Sequence, residues 1–107
     1  MKDDRTIFAY PQGVQLPPVP PGETLAEEIE ARGLTAHALA LKLRVPANRI
    51  TGIVSGKRAI TAETAIRLGR YFGTGAAFWI NLQAAYDLAK AERDVGERIA
   101  REVEAAA

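Results

Sequence analysis

The sequence predicts an all-α domain of five helices, with an extended arm ahead of it and a helical tail behind. Three observations carry this expectation. From Thr24 onward, apolar residues recur at three- and four-residue spacing, and no stretch shows the strict alternation of a half-buried strand. Helix punctuation falls at short intervals, with Thr24, Thr35, Pro46 and Thr61 as starts and Gly33, Gly56 and Gly73 as stops. Pro11, Pro17, Pro18, Pro20 and Pro21 remove donors and disfavour helix over residues 1–21.

Each element has its own justification. The arm, 1–21, carries Ile7, Phe8, Tyr10, Val14, Leu16 and Val19, which is too apolar for a plain linker, so it is expected to lie on a surface. Thr24-Leu25-Ala26-Glu27 fits a capping box, Leu25 and Ile29 share a face, and Gly33 is the stop. Thr35 caps the second helix, whose buried stripe is Leu39, Ala40 and Leu43, and Leu34 can staple onto Leu39. Pro46 opens the third helix, Ile50 and Ile53 face inward, and Ser55-Gly56 ends it. Thr61 caps the fourth, with Ala65, Leu68 and Phe72 inward and Gly73 behind them. Thr74-Gly75 leads into the fifth, where Phe78, Leu82 and Ala85 are expected to face the core. The domain is read as 22–88. Residues 89–107 are charged and alanine-rich, interrupted by Gly96, and read as a helix that continues or frays.

Composition narrows the function. A chain of 107 residues supports one compact domain with a modest core. With no Cys and one His there is no disulfide, no thiolate nucleophile, and no set of ligands for the common zinc sites, so neither cofactor nor metal is expected. No apolar run reaches the roughly 18 residues of a membrane span, and the charged start Met1–Arg5 does not read as a secretory leader, so a cytoplasmic protein is expected. An enzyme reading has no residues to stand on. The net charge of +1 hides an asymmetry. Between Thr35 and Arg70 seven basic residues face a single acid, Glu63, a local +6 that leaves −5 for the remainder. A basic middle between acidic flanks suits a polyanion-binding face beside a surface for a different partner.

The basic middle holds the informative geometry. Two short helices joined by Arg44-Val45-Pro46, with small Ala40 where they cross, form a helix-turn-helix that exposes the start of the third helix. Ala47, Asn48, Arg49, Thr51 and Gly52 face outward there. Asn can pair with the N6/N7 edge of adenine and Arg with the O6/N7 edge of guanine, while small neighbours let the helix sit deep in a major groove. Lys57 and Arg58 follow at once, placed for phosphates. Thr35 can meet a phosphate while capping its helix. His37 reads as an exposed side chain near that face.

These residues resemble a known family. Leu34 to Pro46, continuing to Ile60-Thr61, looks like the Cro/C1-type, lambda-repressor-like helix-turn-helix of the XRE family. Leu16-Pro17-Pro18-Val19-Pro20-Pro21-Gly22-Glu23, Asn48-Arg49-Ile50, the run from Val54 to Ala65, and above all Phe72-Gly73-Thr74 through Phe78 to Leu88 resemble HigA-type antitoxins of type II toxin–antitoxin modules. The resemblance implies a homodimer that binds a palindromic operator in double-stranded DNA, represses its own operon, and neutralises a HigB-type toxin, a RelE-like ribonuclease that cleaves mRNA. Relatives often carry Gln where Ala36 stands, Gly where Arg44 stands and His where Pro20 stands.

The expected sites follow. Thr35, Ala47, Asn48, Arg49, Thr51, Lys57 and Arg58 form the DNA face. Phe78, Trp79, Leu82 and Tyr86 form a dimer seam, because so small a core invites a second copy. Ile7, Phe8 and Tyr10 of the arm, with Glu27, Glu28 and Ile29 of the first helix, are the candidate toxin surface; an acidic face attracts a basic RNA-binding protein. A stand-alone repressor of the same fold, with no toxin, shares every DNA-facing residue. A protein-interaction adaptor that has lost DNA binding is a third reading, and salt-sensitive DNA binding separates it from the other two.

Overall fold

The computed structural model describes residues 17–106. Five helices follow one another: α1 Pro21–Ala31, α2 Ala36–Leu43, α3 Ala47–Val54, α4 Ala62–Phe72 and α5 Ala76–Glu102. No strand occurs among the described residues. Ile7, Phe8 and Tyr10, with most of the expected arm, lie outside them.

Helix α1 begins four residues earlier than the Thr24 cap predicts. Pro20 holds the extended N-cap conformation, Pro21 takes the first helical position, and the Glu23 N–H donates to the Pro20 carbonyl at 3.1 Å. Proline suits that position because its φ is already helical and its missing N–H would have had no partner. Gly22, behind it, is buried against the end of α3, where a Cβ would fall onto the Ile53 carbonyl oxygen. At its other end α1 closes as expected on Gly33 (φ 67°), with Gly33 N–H donating to Glu30 and Leu34 N–H to Ile29, both at 3.0 Å.

The remaining caps fall where the sequence puts them. Thr35 Oγ1 accepts from Ala38 N–H at 3.0 Å, and Thr61 Oγ1 accepts from Thr64 N–H at 3.3 Å. Gly73 ends α4 in the left-handed region at φ 78°. Arg44 ends α2 in the same region, at φ 60° and ψ 47°, although it has a side chain. Arg44 N–H still reaches Leu41 and Val45 N–H still reaches Ala40, so the turn is the one glycine would make, at a cost of about 1 kcal/mol.

One core gathers all five helices: Leu25 and Ile29 of α1, Leu39, Ala40 and Leu43 of α2, Ile50 and Ile53 of α3, Ala65, Leu68 and Phe72 of α4, and Trp79 of α5, with Ile60 from the α3–α4 loop. Two expectations are corrected here. Ile29 is buried in this core, so it is no part of an exposed toxin surface. Trp79, at 0% exposure, lies inside the protomer and cannot line a dimer seam; it packs beside Phe72 with ring centres 5.7 Å apart.

The register of α5 also differs. Its inward face is Trp79 and Gln83, with Ile80 and Leu82 partly packed, whereas Phe78 is 42% exposed and Ala85 is exposed. The reason is a polar residue on the buried side. Gln83 stands one helical turn from Trp79, and an apolar pattern alone slides to Phe78-Leu82-Ala85. Beyond Leu88 the helix continues unbroken through Gly96 to Glu102.

Candidate nucleic-acid interface

The outward face of α3 is set by its inward one. Ile50 and Ile53 are buried at i, i+3 spacing, and Ala40 of α2, only 2% exposed, lets the two helices approach closely. What remains outside is Asn48 and Thr51, both exposed, with Ala47 and Arg49 half-buried at the edge. Ala47 packs partly onto the core.

Arg49 is held in place. Its Nη1 donates to Glu63 Oε1 at 3.3 Å, and the other oxygen of Glu63 accepts from Arg67 Nη2 at 3.0 Å and Nε at 3.2 Å. Arg67 Nη1 in turn donates to the Leu43 carbonyl at 2.9 Å, one of the free acceptors at the end of α2. The hydrogen bonds and charge of Arg67, with a smaller contribution from Arg49, hold the Glu63 carboxyl below the usual carboxylate range, so it stays ionised.

The loop after α3 is fixed at both ends. Lys57 and Arg58 N–H groups both donate to the Gly52 carbonyl, at 2.8 and 3.0 Å, and Ser55 Oγ donates to the same atom at 3.1 Å. Ile60 N–H donates to Gln83 Oε1 at 2.7 Å, and Gln83 Nε2 donates to Asp87 Oδ1 at 3.0 Å. The Lys57 and Arg58 side chains are left exposed between these anchors. Arg58 lies over Gly52, where a Cβ would come within 3.2 Å of its own Cβ. Gly52 thus leaves room for the Arg58 side chain beside it.

The helix-turn-helix thus brings Ala47, Asn48, Arg49 and Thr51 onto one helix and sets Lys57 and Arg58 beside it, while Thr35 caps the helix before. Sequence reasoning missed three supporting residues. Glu63 pairs with Arg49, Arg67 pairs with Glu63, and Gln83 anchors the loop. Glu63 did leave a signal, as the lone acid among seven basic residues. Gln83 left none, because its partner is a backbone N–H 23 residues away. Among the described residues no group of three His, Cys, Asp or Glu could hold a metal ion, and no helix is long and apolar enough to cross a membrane.

Comparison with known proteins settles the family. Residues 25–79 match the helix-turn-helix family. The chain belongs to the HigA family of XRE-type helix-turn-helix proteins. It is 53% identical over 81 residues to virulence-associated protein I of Dichelobacter nodosus, an alignment covering 75% of each chain. A HigA-family addiction module antidote protein from Coxiella burnetii superposes with TM-score 0.81 at 46% identity, over 84% of this chain and 99% of that one. Pseudomonas aeruginosa antitoxin HigA, solved with the higBA promoter, superposes with TM-score 0.81 at 44% identity over the same shares. HigA-family proteins are DNA-binding regulators and antitoxins rather than enzymes.

Proposed function

We propose that this HigA-family chain is a cytoplasmic antitoxin that binds and neutralises a HigB-type toxin and, as a homodimer, binds a palindromic operator to repress its own operon. The observation that carries the reading is the polar face of α3, Asn48-Arg49-Thr51, set beside the exposed pair Lys57-Arg58. Two copies present two such helices about 34 Å apart, one per half-site. Asn48 and Arg49 read bases, with Ala47 and Thr51 closing the contact, and Lys57, Arg58 and the α2 start at Thr35 hold phosphates. The relative solved with its promoter supports the DNA partner.

For the dimer, Phe78 and Tyr86 with the partly packed Leu82 remain the seam, and the apolar exposure runs on to Leu88, Ile99 and Val103. For the toxin, the acidic outer face of α1, Glu27 and Glu28 with Glu23 and Glu30, is the surface that complements a basic RNA-binding protein, and Ile7, Phe8 and Tyr10 of the arm are its candidate extension.

The test is co-expression with the reading frame adjacent to this gene, together with titration of the purified chain against upstream DNA and a scrambled duplex. Growth rescue, co-purification and preference for the upstream DNA are expected. Arg49→Ala should cost roughly 1–3 kcal/mol on the preferred duplex alone, and Lys57→Ala should weaken both duplexes and lower the salt slope by about one. A harmless or non-binding neighbour with intact DNA preference would make the chain a stand-alone repressor.

A further inference from the structure

The one acid in the basic segment 35–70 occupies an unexpected place. A carboxylate near a polyanion repels it, so a surface evolved only for affinity would have no use for Glu63. Its position supplies a use. One oxygen takes Nη1 of Arg49, and the other is engaged by Arg67 through two nitrogens. Arg67 spends its remaining terminal nitrogen on the Leu43 carbonyl. The chain of contacts therefore runs from the rigid end of α2, through the first turns of α4, to the third residue of α3.

We propose that Glu63 is the positioning residue of operator reading: it holds Arg49 in one orientation and, by its charge, disfavours DNA that Arg49 does not match. An arginine side chain surrenders much rotamer freedom when it binds, and a partner that fixes it beforehand removes part of that loss. Glu63 uses a single terminal nitrogen of Arg49, leaving the rest of the guanidinium fork for a guanine edge. On a matched site the orientation outweighs the repulsion. On random DNA, where Arg49 finds no bidentate partner, only the repulsion remains. Glu63 thus trades non-specific affinity for discrimination. This inference rests on Arg49 reading the operator.

The test uses the full chain, titrated against its upstream DNA and a scrambled duplex of equal length, with folding checked by circular dichroism. Glu63→Gln should bind the scrambled duplex several-fold more tightly and lower the ratio of specific to non-specific affinity about tenfold or more. Glu63→Asp, which keeps the charge but shortens the reach, should leave scrambled binding weak and still lose the ratio. In an Arg49→Ala background, Glu63→Gln should leave the ratio unchanged, because its effect passes through Arg49. An unchanged ratio in Glu63→Gln, or an equal loss on both duplexes, would overturn the proposal while leaving operator reading intact. No preference in the unmutated chain, or none lost on Arg49→Ala, would instead remove the reading beneath it.

Discussion

The first two turns of α5 and the last four are built from different material. From Ala76 to Gln83 the helix buries Trp79 against Phe72 and reaches Ile60 with Gln83. From Leu88 to Glu102 no residue is buried, and the large apolar side chains, Leu88 and Ile99, stand exposed among charges. One continuous helix therefore serves two purposes. Its near part belongs to the fold and braces the α3–α4 loop, and its far part is held by backbone propensity and ion pairs such as Arg98–Glu102 at 3.7 Å. Substitutions in the near part should act on global stability. Those in the far part should act on local order or on association.

Trp79→Ala gives the largest expected effect. Emptying a fully enclosed indole site costs about 3–5 kcal/mol in comparable cores, a large fraction of a small domain's stability. Chemical denaturation should show the midpoint fall by that equivalent. Trp79 Nε1 has no hydrogen-bond partner among the described residues, so Trp79→Phe removes volume without breaking a bond and should cost less. An unchanged midpoint in Trp79→Ala would show that the buried indole carries little of the core's stability.

Gln83→Leu comes next. It keeps the bulk but leaves Ile60 N–H, a buried donor, without its acceptor, which costs about 1–3 kcal/mol. Because that bond anchors the loop, the same variant should bind DNA with a smaller salt slope as Lys57 and Arg58 lose their fixed position. Asp87→Ala removes only the outer link of the relay, at a part-buried site, and should cost far less. Equal losses in the two variants would show that the relay acts as a unit.

The same contrast explains what the sequence made legible. Caps are local: Thr35, Thr61, Gly33 and Gly73 each act within a few residues, and all four sit where their chemistry predicts. The α3 face was legible because Ile50 and Ile53 define it by elimination. Long-range polar pairing was not. Gln83 reads as surface until Ile60 is placed beside it, and with it hidden the α5 register shifts so that Phe78 looks buried. Pro21 was legible as a helix breaker and acts here as a helix starter, since the same missing N–H serves both. The orientation of Arg49 depends on Glu63, 14 residues on, and no local pattern contains that contact.

Two glycines sharpen the comparison most finely, because one substitution should change sign between them. Gly69 is buried in α4 where that helix meets the turn into α5, and a Cβ there would fall onto the backbone of Gly75 and Ala76. Backbone cannot swing aside as a side chain can, so Gly69→Ala should destabilise by about 1–3 kcal/mol. Gly96 lies in the far part of α5, where a Cβ meets only the end of Glu92, with Oε1 at 2.9 Å, and that carboxylate can turn away. Replacing glycine by alanine in a helix interior returns about 0.8–1 kcal/mol of helical preference. Gly96→Ala should therefore raise far-ultraviolet helicity and slow amide exchange over residues 88–102, with the global midpoint nearly unmoved. A rise in the concentration needed for dimerisation would point elsewhere. It would mean that the missing side chain at Gly96 admits a second copy, and that the far part of α5 is buried in the dimer.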